Sequence, residues 1–154
     1  MKAARTVVPF LLLAVLVAGC GDDDPSAPET GITLGDLVGS WIATSDTHTN
    51  NANAAESFDM IAAGGEVRVT VLASGGARTW VEFGTFSDEW DAAITLSGNT
   101  LTSDPVEVGR PTVTWTVTLV NDVLTLTRTD GEFDFTLTGA PPVSTTEVGV
   151  FVRN

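Results

Sequence analysis

The chain has 154 residues, with seven Lys and Arg against twenty Asp and Glu, for a formal net charge of −13. A surface of that sign repels nucleic acid, and no basic patch interrupts it, so nucleic acid is excluded as a partner. Beyond the N-terminal segment the length suffices for one domain around one core, and abundant Thr, Val and Gly with a single Lys favour strands over helices.

Lys2 and Arg5 open the chain with positive charge, and Val7 to Ala18 is apolar except for Pro9. That run is shorter than the roughly 20 residues a membrane-spanning helix needs. A basic start, a short apolar core and small residues at its end describe an export signal. The segment ends in Val17-Ala18-Gly19-Cys20, which resembles the lipobox of bacterial lipoproteins. The resemblance implies that residues 1–19 are a signal peptide and that Cys20 is the lipid-bearing first residue of the mature protein. Its thiol would carry a diacylglycerol and its freed α-amine a further acyl chain such as palmitate. At about 0.8 kcal/mol per buried methylene, two or three chains anchor stably where one does not. The expected partner is therefore a membrane, reached through lipid on Cys20. Cys20 is the only cysteine, so no intramolecular disulfide and no cysteine-based zinc site can form. In Gram-negative lipoproteins an Asp after the cysteine resembles an inner-membrane retention signal. Gly21 stands there instead, so the expected address is the outer membrane of the cell envelope.

Residues 20–33 are rich in acid, Pro and Gly and have no hydrophobic period. They are expected to form a flexible acidic tether, with Asp22, Asp23 and Asp24 a solvated run rather than a cation site. The folded domain is expected at 34–154.

From there the pattern alternates with period two, the mark of half-buried strands. In chain order the strand candidates are 39–45, 66–72, 77–84, 92–97, 100–104, 112–120, 123–129, 132–138 and 147–153. His48 falls between the first two, in a polar stretch that predicts a loop and a solvated imidazole. Ser57 to Ala63 fits either a short helix or a further strand, and the short helix is expected. Val67, Val69 and Val71 point one way, as do Val81 and Phe83 on the next strand, which leaves Trp80 on the opposite face. Asp88, Glu89 and Asp91 surround Trp90 in a loop-like segment; such carboxylates suit either a calcium ion or a solvated rim, and the rim is expected. Ile94, Trp115 and Val117 continue the inward set. Leu96 to Thr102 echoes Leu119 to Thr125 at an offset of 23, each a strand, a two-residue turn and a strand. Two copies of a hairpin do not make a solenoid repeat, but they do imply neighbouring strands joined in sequence.

The fold class is therefore all-β, an up-and-down antiparallel meander closed into a barrel of about eight to nine strands, since closure covers both the apolar face and the edges. A two-sheet β-sandwich is the alternative. Gly39-Ser40-Trp41 opens the first strand and Arg153 ends the last; this pairing resembles the Gly-x-Trp signature of lipocalins and its partner arginine. The resemblance implies that Trp41 and Arg153 form a structural pair at the closed base of a lipocalin-like barrel. Candidate pocket residues are Val67, Val69, Val71, Val81, Phe83, Ile94, Trp115 and Val117. No Gly-x-Ser-x-Gly elbow or phosphate-binding glycine loop is present, and no catalytic residue, cofactor or metal is expected. The expected role is non-enzymatic, a monomer holding a small hydrophobic ligand. The alternative is a solid-cored structural or protein-interaction module of the envelope. A continuous cavity of about 300 Å³ or more would favour the binder.

Overall fold

A computed structural model describes residues 31–154. The expected signal peptide, Cys20 and most of the expected tether lie outside the described residues.

One helical turn, α1 (Leu34–Leu37), precedes nine strands: β1 (Gly39–Asn50), β2 (Ser57–Asp59), β3 (Glu66–Val71), β4 (Gly76–Phe83), β5 (Phe86–Ser97), β6 (Thr100–Pro105), β7 (Val113–Val120), β8 (Val123–Phe133) and β9 (Val143–Arg153). Each strand from β3 to β9 pairs antiparallel with the next, β1 pairs with β3, and β1 also pairs with β9. Eight strands therefore form a closed lipocalin-like barrel, and the short β2 lies along the far half of β1, pairing Thr47–Thr49 with Ser57–Asp59. The meander and its closure agree with the period-two pattern; the sandwich alternative is not what forms.

The turns follow from residues that tolerate positive φ. Asn121 (φ 51°) and Asp122 (φ 59°) close β7–β8, and Gly98 (φ 57°) closes β5–β6. These are the two echoed hairpins. Both lie at the α1 end of the barrel, as does the turn between β3 and β4.

Three expectations at β1, β2 and β8 fail, for two identifiable reasons. The strand expected at 132–138 stops at Phe133. Asp134 then accepts the backbone N–H groups of Thr136, Thr138, Gly139 and Ala140 at 2.8–3.1 Å. Donors gathered on one carboxylate are lost to any neighbouring strand, and the chain loops with Leu137 at φ 56°. At 57–63 the strand alternative forms in place of the helix: β2 covers Ser57–Asp59, and turns follow. Asp59 accepts from Ile61 N (2.9 Å) and Ala62 N (3.1 Å), which folds the segment sharply. The third failure concerns β1, which continues to Asn50 where 39–45 is expected, so His48 is a strand residue and not a loop residue.

The cause of that third failure also sets the geometry of the interior. Between Ala43 and Ser45 the β1–β9 register slips by one residue, a β-bulge at Thr44. Before it the odd residues Trp41 and Ala43 are buried; after it the even residues Asp46 and His48 are. An extra residue reverses which parity faces inward. Asp59 supports the bulge by accepting Asp46 N (3.2 Å) and the Ser45 hydroxyl (2.8 Å). Burial pushes the Asp59 carboxyl up, but its donors, led by Ala62 N, Ser45 and Asp46 N, hold it below the usual range. A second slip occurs in β8 between Arg128 and Gly131, opposite Glu147 to Thr145 of β9.

Candidate functional site

At the α1 end the barrel is shut. Trp41 is fully buried, and its indole N–H donates to the Leu37 carbonyl (2.8 Å). The Arg153 guanidinium lies 4.3 Å from the Trp41 ring centroid and donates to the Val38 (2.8 Å) and Asp36 (2.9 Å) carbonyls. These carbonyls end a helical turn and have no partner within it. Gly39 makes the approach possible. Its φ is +136°, and a Cβ there would stand 2.8 Å from Arg153 Nη1. The glycine, the indole and the guanidinium thus form one packing unit.

Above this base lies a cavity of about 140 Å³. Six of the eight sequence-predicted residues line it: Val67, Val69, Val71, Val81, Ile94 and Trp115. Val117 is fully buried but packs in the core beside the cavity, and Phe83 turns to the far end, where its ring meets Phe58 edge-on at 5.8 Å. The remaining wall includes Ala77, Trp90, Leu124, Leu126 and Phe151. The volume falls short of the roughly 300 Å³ of a drug-sized pocket. It matches the engineered apolar cavities of about 150 Å³ that stay dry and bind benzene or xenon.

Every one of the four Trp residues carries an arginine. Arg153 sits on Trp41, Arg68 on Trp80 (5.1 Å), Arg110 on Trp90 (4.5 Å) and Arg128 on Trp115 (4.8 Å). Two of these pairs bound the cavity. Trp90 is a wall residue on β5, so the loop expected around it is corrected to strand. Pleating then sends its acidic neighbours to different faces. Asp88 pairs with Arg110, while Glu89 and Asp91 flank Arg78 at 3.6 and 2.8 Å. Carboxylates so divided cannot converge on one calcium ion. Trp115 lines both the cavity and an outer cleft beside Arg128, where the β7–β8 ladder ends at Thr116↔Thr127. The Trp115–Arg128 pair is therefore the partition between the interior and that cleft.

The end of the interior away from α1 is polar, and none of this was visible in the alternation. Arg128 donates to Glu147 Oε2 through Nε (2.7 Å), and its Nη2 completes the ion pair at 2.6 Å from the same oxygen. His48 stacks on Phe133 with centroids 4.3 Å apart. Its Nδ1 lies 3.9 Å from Glu147 and its Nε2 3.9 Å from Asp46, beyond hydrogen-bond range. Burial lowers the His48 pKa, an effect only partly opposed by Glu147. The Asp46 side chain is 8% exposed and lines the cavity, and among the described residues no donor reaches its carboxylate. Burial first, then the charges of Glu147 and Asp59, push Asp46 up to about 7. Donor atoms of Asp46, His48 and Glu147 lie within 4.8 Å of one another, a spacing that a metal ion could close. The positive charge such an ion would bring to Glu147 is, however, already supplied by Arg128.

No known protein family, curated protein or solved structure matches the chain.

Proposed function

We propose that this protein is a lipid-anchored component of the bacterial cell envelope whose barrel holds one small apolar ligand. The observation that carries the binding role is the apolar cavity of about 140 Å³ above the Trp41 base. In this reading the barrel does no covalent chemistry. Its walls exclude water from the ligand, and the Trp115–Arg128 partition is the route of entry from the outer cleft.

Benzene is the matching probe. The native chain is expected to bind it saturably by calorimetry. Ala77→Leu, which pushes a larger side chain into the cavity, is expected to abolish that binding while the melting temperature shifts by only about 2–10 °C, as overpacking costs 1–3 kcal/mol. Undiminished binding by the variant, or none by the native chain, would refute the cavity as the site.

The anchor rests on the lipobox resemblance at residues 17–20. In bacterial cells fed labelled palmitate, the chain is expected to take up label and partition with membranes, and Cys20→Ala is expected to lose both. Label retained in the alanine variant would refute the assignment.

A second reading has an observation of its own. The barrel end away from α1 displays Phe86, Leu137 and Val143, all well exposed. Apolar side chains gathered on one rim suit contact with another envelope protein, and the cavity's modest volume is compatible with that role.

A further inference from the structure

The cavity has one ionisable group in its wall, the Asp46 carboxylate. Its surroundings supply what a neutral apolar ligand would not need. From β9, Glu147 faces it, but that charge is matched by Arg128 of β8 through one hydrogen bond and a close ion pair. From β2, Asp59 lies close, but its oxygens are occupied by Asp46 N, Ile61 N, Ala62 N and the Ser45 hydroxyl. Along β1, His48 keeps its nearest nitrogen 3.9 Å away. Asp46 is thus the one carboxylate of the group with no donor among the described residues, although its side chain is only 8% exposed; the buried His48 Nδ1 also lacks a partner. Buried carboxylates are ordinarily paired, because an unpaired one loses its hydration with nothing in return. The bulge at Thr44 aims it inward, and Asp59 holds the bulge. Trp90 and Trp115 stand in the same wall, and indole faces attract cations.

We propose that the ligand of this cavity is a small primary amine, its ammonium group paired with Asp46 and its apolar body enclosed by the barrel. The proposal rests on the cavity-binding reading above and names the chemical class of its ligand. The ammonium supplies the missing donor and the missing positive charge together. Hydroxyls of Thr79 and Ser103, which also line the cavity, offer further acceptors. The ligand enters as the ammonium ion and Asp46 accepts it as the carboxylate, so below the pKa of Asp46 binding releases the proton of Asp46 to solvent.

Benzylamine and its neutral counterpart benzyl alcohol separate the charge from the shape. Calorimetry on the full chain at pH 8 is expected to give benzylamine an advantage of about 10- to 100-fold, the worth of a charge-assisted hydrogen bond. At pH 6, with Asp46 about one-tenth ionised, that advantage is expected to fall roughly tenfold, with protons released on binding. Asp46→Asn is expected to remove the advantage and its pH dependence while leaving benzyl alcohol affinity within about threefold. Equal affinity for the two compounds, or an amine preference that survives Asp46→Asn, overturns the amine inference and leaves the cavity reading standing. Failure of both compounds to bind overturns the two together. Saturable binding of Zn²⁺ alone, lost in His48→Ala and accompanied by no amine preference, overturns it in favour of a metal.

Discussion

Trp41→Ala is expected to remove about 3–5 kcal/mol of stability, the range for deleting a large aromatic from a packed core. A domain of this size has only about 5–15 kcal/mol in total, so this one change takes it close to unfolding under mild conditions. Three losses coincide at the site. The largest fully buried side chain disappears, the Leu37 carbonyl loses its indole donor, and Arg153 loses the ring beneath it. Arg153→Ala leaves the indole in place and removes a cation–π contact and two carbonyl bonds, so a smaller loss of about 1–3 kcal/mol is expected. Urea unfolding followed by circular dichroism gives both values. A Trp41→Ala variant within 1 kcal/mol of the native chain would mean that the base does not hold the barrel shut.

Asp46→Asn is expected to do the opposite above neutrality, stabilising the fold by about 2–4 kcal/mol at pH 8. Folded Asp46 keeps its proton up to about pH 7, whereas in the unfolded chain the proton is lost near the ordinary carboxylate value. Between those two limits unfolding releases a proton, so stability falls as pH rises, and the loss is complete above the folded value. Asparagine has no proton to lose and removes that decline. His48 acts in the other direction. Its folded pKa is lowered by burial, so the unfolded chain takes up the proton first, and acidification below the ordinary imidazole value destabilises the fold. The native chain should therefore show a shallow profile between pH 5 and 8 in which the two groups oppose each other. In Asp46→Asn only the histidine limb remains, and stability should rise with pH toward the ordinary imidazole value and level off above it. An unchanged profile would place the Asp46 titration outside this range and contradict the account of a buried, unpaired carboxylate.

What the sequence shows and what it hides divide along a physical line. Regular alternation from Glu66 to Thr102 and from Val113 to Thr127 is legible because each strand keeps one parity inward, and six cavity residues follow directly. Trp41 and Arg153 are legible because they stand at the two ends of the meander. The polar end is hidden because its residues depend on the bulges. Thr44 is an ordinary strand residue in sequence, yet the register slip there turns Asp46 and His48 from expected loop or surface positions into the interior. Only the support from Asp59, on a segment expected to be helical, makes that slip intelligible. Asp134 has a similar effect at the other side of the mouth, ending a strand whose Phe-x-Phe-x-Leu pattern is otherwise regular. In both places a short acidic side chain takes backbone donors that the ladder would have used, a choice made by local hydrogen bonds that hydrophobic period does not register. Trp90 is missed for another reason: its acidic neighbours suggest a loop, but their arginine partners make the charges compatible with a strand.

Methyl NMR during titration with benzene tests the central claim of a ligand held inside the barrel most directly. Saturable shifts are expected at Val67, Ile94, Leu101 and Leu126, around a single site between the Trp41 base and Asp46, with the exposed methyls of Val106, Val108 and Leu137 unmoved. Shifts confined to the exposed methyls, or no saturable shift at the interior methyls, would contradict it.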